Sequence, residues 1–250
     1  MLMEAFVAEL VGTCILVVLG DGVVANVVLA RTKGNQSGWI VITAGWGLAV
    51  AIAVYSVGRI SGAHINPAVT IGLATIGQFP WANVGAYVLA QLVGAFLGAV
   101  VVWISYRPHW TATDDAEAKL GVFATGPEIR SPGANLVTEM VGTAVLVFGV
   151  LAIAANAGEM TAGTVDLSSV FATGINPMLV GVLVWSIGLS LGGPTGYAIN
   201  PARDLGPRLA HALLPIPGKG GSDWGYAWVP VVGPLAGGVI GAVAFRTLGW

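Results

Sequence analysis

Six runs of mainly apolar residues dominate this sequence, at roughly 5–29, 39–58, 82–106, 135–157, 175–193 and 226–248. A helix of about twenty residues crosses the roughly 30 Å hydrocarbon core of a bilayer, so each run reads as a spanning helix. Only 9% of the residues are charged and 56% are hydrophobic, against about 25% charged in a soluble domain. The chain is therefore expected to be an all-α integral membrane protein. Its net charge of −2 gives no reason to expect a nucleic-acid partner. Phosphate-binding, dinucleotide-binding and zinc-ligand spacings are absent from the sequence, so no cofactor and no metal are expected. The single cysteine, Cys14, lies inside an apolar run and reads as packing. The first run lacks a basic leading segment and a clear cleavage site, so it is expected to be a retained helix.

Two further apolar stretches, about 66–78 and 200–214, are too short to span. Both open on the same triplet, Asn66-Pro67-Ala68 and Asn200-Pro201-Ala202. Asn caps a helix by accepting from the free N–H groups of the first turn. Pro at the first helical position gives up an N–H that has no partner anyway. Each triplet thus predicts the start of a short helix at membrane depth. Irregular backbone leading into such a helix is tolerated only if it is buried in protein or lines a wet cavity.

The chain also repeats itself. Ala8-Glu9-Leu10-Val11-Gly12-Thr13 is echoed by Thr138-Glu139-Met140-Val141-Gly142-Thr143, and the triplets recur at a similar separation. We divide the chain into a first repeat, 1–110, a connecting loop, 111–134, and a second repeat, 135–250. Each repeat holds three spans and one half-helix, and an odd number of spans inverts the second copy. Inverted repeats with interrupted helices mark a translocation pathway at their interface. The longest polar connection, about 107–134, joins the halves, and a second polar stretch, about 158–174, is expected to be an ordinary loop. Positive charge does not settle orientation. A cytoplasmic N-terminus leaves Arg31, Lys33, Arg107, Lys119, Arg130 and Lys219 outside, against the usual bias.

The two triplets, the Ala-Glu and Gly-Thr openings of the repeats, and Ser61-Gly62-Ala63-His64 before the first triplet resemble the major intrinsic protein (aquaporin) family over essentially the whole chain. Asn200-Pro201-Ala202-Arg203-Asp204, with Arg208 and Pro234-Leu235, looks like its glycerol facilitator branch. The resemblance implies a right-handed bundle of six transmembrane helices plus two re-entrant half-helices, forming one channel domain over 1–250. It also implies a homotetramer with one pore per subunit, in the plasma membrane of a bacterium, with both termini cytoplasmic. The function implied is passive conduction of glycerol, other small neutral solutes and water, with ions and protons excluded.

The same resemblance assigns roles to residues. Trp46, Gly188, Tyr197 and Arg203 are expected to form the selectivity filter, with Gly188 leaving room that water-selective members fill. Tyr197 stands where the familiar glycerol facilitator has Phe, so its hydroxyl is expected to make the filter smaller or more polar. Asn66 and Asn200 would offer amide donors at the centre. The carbonyls of Gly62, Ala63, His64, Gly196, Tyr197 and Ala198 would line the pore. Buried acids are usually functional in membranes. The matched pair Glu9 and Glu139 nevertheless reads as support for the two irregular loops, and Asp204 as orienting the loop around Arg203. Asp21 has no counterpart in the second half and is placed near the outer end of the first span. Two other readings stay open. One is a channel mainly for undissociated lactic acid, dihydroxyacetone or urea. The other is a proton-coupled transporter using Glu9 or Glu139.

Overall fold

The computed structural model describes residues 2–249. In the first half α1 (Leu2–Val28) and α2 (Trp39–Ser61) precede the short α3 (Pro67–Thr75) and then α4 (Trp81–Ser105). Two small helices follow, α5 (Arg107–Ala112) and α6 (Ala116–Phe123), and then α7 (Pro132–Gly158) opens the second half. A hairpin of β1 (Thr161–Ala162) and β2 (Val165–Asp166) comes next. Beyond it, α8 (Ser168–Val170) runs through a π-helical turn, Phe171–Ile175, into α9 (Asn176–Leu191). The short α10 (Pro201–Leu213) and α11 (Val229–Thr247) complete the chain. Among the described residues, six helices are long and apolar enough to cross a membrane, counting Ser168–Leu191 as one.

Two expectations need correction. The stretch 158–174 is not an ordinary loop. It forms the hairpin, turning at Gly163 with φ 62°, and the fifth span starts at Ser168. The Asp166 carboxylate accepts from Ser168 N–H at 2.8 Å, which starts the helix before its apolar run begins. Ser168, Ser169, Thr173 and Gly174 dilute the apolar signal there. The connection 111–134 is also not simply a loop, because it contains α6. Asp115 caps that helix, accepting from Glu117 and Ala118 N–H at 2.8 and 3.1 Å.

The packing is symmetric between halves. α1 packs on α4 and α2, and α7 packs on α11 and α9 in the same way. Small residues allow these approaches. A side chain at Gly94 would run into the Leu10 carbonyl, and one at Gly237 into the Met140 carbonyl, its counterpart in the repeat. The pair α2 and α9 meet at the pseudo-symmetry axis. There a Cβ on Gly47 would lie 2.7 Å from the Gly181 carbonyl, and one on Gly181 would lie 2.5 Å from the Gly47 carbonyl. The half-helices cross over: α3 packs mainly on α11 and α10 mainly on α4, each on the last span of the other half. The halves therefore interlock around their two irregular loops.

Polarity is arranged inside out. Leu48, Ile52, Leu89, Ile104, Leu189 and Ile240 point outward and are exposed, as lipid-facing positions should be, while Glu9, Asp21, Gln91, Glu139, Asp204 and Arg208 are buried. A buried charge is costly unless paired or hydrogen-bonded, so each of these groups has to be accounted for at the centre of the bundle.

Candidate functional site: two facing half-helices and the cavity between them

Each half-helix starts from an extended Asn and a Pro. Asn66 has φ −159° and its side-chain oxygen accepts from Ala68 N–H at 2.9 Å. Asn200 has φ −157° and accepts from Ala202 and Arg203 N–H at 3.0 and 3.2 Å. Each amide also reaches across to the other half. Asn66 Nδ2 donates to the Ile199 carbonyl and Asn200 Nδ2 donates to the Ile65 carbonyl, both at 2.8 Å. The two loops are thus stitched together by a reciprocal pair of bonds. A side-chain amide carries two N–H donors, so one on each Asn is not used by the crossing.

The loops before the caps have matching, unusual backbones. Gly62, Ala63 and Ile65 have φ of 83°, 48° and 43°, and Gly196, Tyr197 and Ile199 have 77°, 38° and 42°. Positive φ in a non-glycine residue is strained and persists only where surroundings hold it. Here a buried carboxylate from the first span of each half does so. Glu9 accepts from the Ser61 hydroxyl and His64 N–H on one oxygen, at 2.7 and 2.9 Å. Its other oxygen accepts from Ile65 N–H and Gln91 Nε2, both at 2.7 Å. Glu139 accepts from the Thr195 hydroxyl, Ala198 N–H and Ile199 N–H at 2.7, 3.0 and 2.8 Å. Donors that the loop cannot pair internally are therefore satisfied. The His64 ring lies between Phe79 and Tyr87, with centroids 4.7 and 4.9 Å away, and its Nδ1 is 3.1 Å from the Thr70 hydroxyl.

The loops border a cavity of about 250 Å³. One wall is the irregular backbone of 62–65 and 196–199, with Asn66 and Asn200. The facing wall is aliphatic: Val50 and Val54 of α2, Leu146 and Val150 of α7, and Val180 and Val184 of α9. A passage with one polar and one apolar side suits a solute that has a hydroxyl edge and a C–H edge.

Arg203 and Trp46 line the same cavity. The guanidinium lies over the Trp46 ring, 4.1 Å from its centroid, and donates to the Phe123 carbonyl at 3.2 Å. Both side chains are nearly buried, at 6% and 5% exposure. Tyr197 lines the cavity too, but its hydroxyl does not face it. That oxygen is buried and has no hydrogen-bond partner among the described residues. A Cβ on Gly188 would come within 2.7 Å of Tyr197 Cζ and 2.9 Å of its oxygen. Gly188 does not itself line the cavity. It sits behind the ring, and its carbonyl accepts from Trp39 Nε1 at 3.1 Å. The expectation that the Tyr197 hydroxyl narrows or polarises the passage is therefore corrected: the space left by Gly188 holds that hydroxyl.

Asp204 and Arg208 fix the second half-helix to the connection between the repeats. Arg208 donates to both oxygens of Asp204, at 2.7 and 2.9 Å, and to the Thr125 carbonyl at 2.8 Å. One Asp204 oxygen also accepts from Thr125 N–H and its hydroxyl, at 2.8 and 2.7 Å. The connection thus brings the Phe123 carbonyl to Arg203. Nothing in the sequence singled out Phe123 or Thr125, because a backbone carbonyl has no residue-type signature and a lone Thr hydroxyl is a weak one. Asp21 gains a neighbour that the sequence did not show. It lies in the last third of α1 and is fully buried, with an oxygen 3.6 Å from Arg203 Nη1. Among the described residues no group of His, Cys, Asp and Glu could hold a metal ion.

Comparison with known proteins agrees along the whole chain. The family model described as Major intrinsic protein matches residues 1–245. A "Probable glycerol uptake facilitator protein" of Thermotoga maritima is 63% identical over 98% of this chain and 100% of its own length. The "Glycerol uptake facilitator protein" of Bacillus subtilis is 56% identical over 98% of this chain and 84% of its own. Among solved structures, the aquaglyceroporin from Plasmodium falciparum superposes with a TM-score of 0.85 at 29% identity, covering 99% of this chain and 97% of its own.

Proposed function

Because this chain belongs to the major intrinsic protein family, we propose that its cavity is a passive pathway for glycerol, other small uncharged solutes and water that excludes ions and protons. The protein is a multi-pass membrane channel and not an enzyme. The observation that carries the solute pathway is the reciprocal crossing of Asn66 and Asn200 on a cavity with one carbonyl wall and one aliphatic wall.

Hydroxyls of a passing solute would move along the backbone carbonyls of 62–64 and 196–198 and take the free N–H of each Asn at the centre. The carbon edge would slide along the valine and leucine wall. Both half-helices direct their N-termini to this crossing, and each such end carries roughly +0.5 of an elementary charge. A cation there meets a repulsive field and finds no full replacement for its hydration shell, a barrier already described for aquaporin-type pores. Trp46, the Tyr197 ring and Arg203 would form the narrow end, with Arg203 donating to hydroxyls and Gly188 shaping the filter indirectly through Tyr197. Glu9 and Glu139 act as structural acceptors in this reading. Their oxygens are occupied by loop and hydroxyl donors, which argues against a proton-carrying role.

The whole chain acts as one channel domain, the interlocked halves each supplying one half-helix. Both termini lie on the cytoplasmic side of a bacterial plasma membrane, so that Arg203 lies toward the outside. The assembly is a homotetramer with a pore in each subunit. A solute panel on purified protein in liposomes tests the reading. Vesicles shrunk in a glycerol gradient should re-swell much faster than empty ones, with glycerol ahead of urea, dihydroxyacetone and lactic acid. Re-swelling at the rate of empty vesicles for every solute would refute it.

A further inference from the structure

The two buried arginines of the second half-helix are held in opposite ways. Arg208 is locked in a two-pronged fork on Asp204, at 2.7 and 2.9 Å, and three more of its contacts are backbone carbonyls. Its donors are consumed. Arg203 also has a carboxylate neighbour, Asp21 of α1, but the closest approach is 3.6 Å. That is beyond hydrogen-bonding distance yet well within Coulombic reach. Neither oxygen of Asp21 has a hydrogen-bond partner among the described residues, and the residue is fully buried. A buried carboxylate without donors is costly. Among the described residues, Arg203 is the cation placed beside it.

We propose that Asp21 is a specificity-determining residue that balances the charge of Arg203 while leaving its N–H donors free for solute. It acts through Arg203, because it does not line the cavity itself. An uncompensated guanidinium at a narrow, water-poor point would attract small anions and hold them. With Asp21 behind it, the narrow end keeps the directional donors that recognise hydroxyls and loses much of the net field that recognises carboxylates. The channel then admits neutral polyols and is not blocked by the organic anions around it. Asp204 could not serve the same purpose, since its oxygens are bound to Arg208 and Thr125.

This inference rests on the proposed pathway through the cavity, so its test keeps the two apart. Glycerol flux is measured by stopped-flow on proteoliposomes at neutral pH, with and without sodium formate on both sides, for the native chain and for Asp21→Asn and Asp21→Val. Thermal stability in detergent confirms folding. Native glycerol flux should be indifferent to formate. Asp21→Asn, which keeps the shape and removes the charge, should bind formate on the order of tenfold more tightly than the native chain, equivalent to about 1.4 kcal/mol, and its glycerol flux should fall as formate rises. Asp21→Val should do the same, and Asp21→Glu should restore indifference. A structural role alone would change stability and total flux but not sensitivity to an anion. If the native protein conducts glycerol and both neutral variants stay as indifferent to formate as it is, the inference is wrong and the pathway stands. If the native protein does not conduct glycerol, both fall.

Discussion

The two half-helices share one entrance and differ in everything after it. Up to the third residue they are near copies: a Glu-supported loop with positive φ at the same positions, an extended Asn cap, Pro and Ala. Then Val69 corresponds to Arg203, Thr70 to Asp204 and Ala74 to Arg208. The first half-helix is anchored by neutral bonds, with Thr70 within reach of Gln91 and His64 at 3.0 and 3.1 Å. The second is anchored by a buried ion pair that recruits the connection between the repeats. Even their far ends differ. Arg246 makes a single long bond of 3.3 Å to the Ile76 carbonyl, whereas Lys219 donates to the carbonyls of His211, Ala212 and Leu214. The shared part builds a symmetric crossing. The divergent part makes one end of the passage chemically distinct from the other.

The comparison breaks most severely if the shared supports are not equivalent. Glu9→Ala and Glu139→Ala each strand several buried donors, at about 1–3 kcal/mol apiece. Neither variant should yield stable protein by fluorescence-detected size exclusion, and Glu9→Ala should be the worse because Gln91 also loses one of its two acceptors. Survival of one variant alone would show that the loops are held differently. The next effect tests the divergent anchors. Asp204→Asn leaves Arg208 without its charge partner, a loss of about 3–5 kcal/mol. Thr70→Val at the matching position should cost only about 1 kcal/mol. Melting temperatures in detergent compare the two, and equal losses would mean that the ion pair adds nothing over the neutral anchor.

Selectivity gives the next contrast. Arg203→Val should raise proton or cation leak on the order of tenfold, equivalent to about 1.4 kcal/mol of barrier, while Val69→Ala should leave it unchanged. The Arg203 variant is best made together with Asp21→Val so that no buried acid is left unpaired. A pH-sensitive dye inside liposomes reads the leak, and a proton-tight double variant would show that the half-helix ends suffice. The smallest effect belongs to Tyr197→Phe. Removing a buried hydroxyl that has no partner should stabilise the fold by about 1 kcal/mol and leave the ratio of glycerol to water flux as it is. A changed ratio would place that hydroxyl in the passage.

Much of this was legible in the residues. The six spans follow from apolar runs of bilayer length, and the half-helices from an Asn-Pro start too close to the next break to span. The repeat was visible at Glu9 and Glu139, whose side chains bind equivalent loop atoms. What was hidden depends on distances between segments far apart in sequence. The Asp21 carboxylate showed no partner in the sequence because Arg203, the cation beside it, lies in the other half. Phe123 contributes a backbone carbonyl, and Thr125 its backbone N–H and carbonyl besides its hydroxyl; composition does not mark backbone groups. Lys119 and Lys219 read in the sequence as free surface charges. In the fold both donate to main-chain carbonyls, Lys119 to that of Pro217. The start of the fifth span was missed because serines, a threonine and a glycine begin it.

The account's central claim is that a crossing held by neutral bonds passes solute down its gradient and nothing else. The most direct measurement follows glycerol re-swelling and internal pH together in one proteoliposome preparation, with no pH gradient imposed. The account predicts rapid re-swelling that rises in proportion to glycerol concentration, with no change in internal pH. Saturating uptake, glycerol accumulation above the external level, or a pH change that tracks glycerol entry would contradict it.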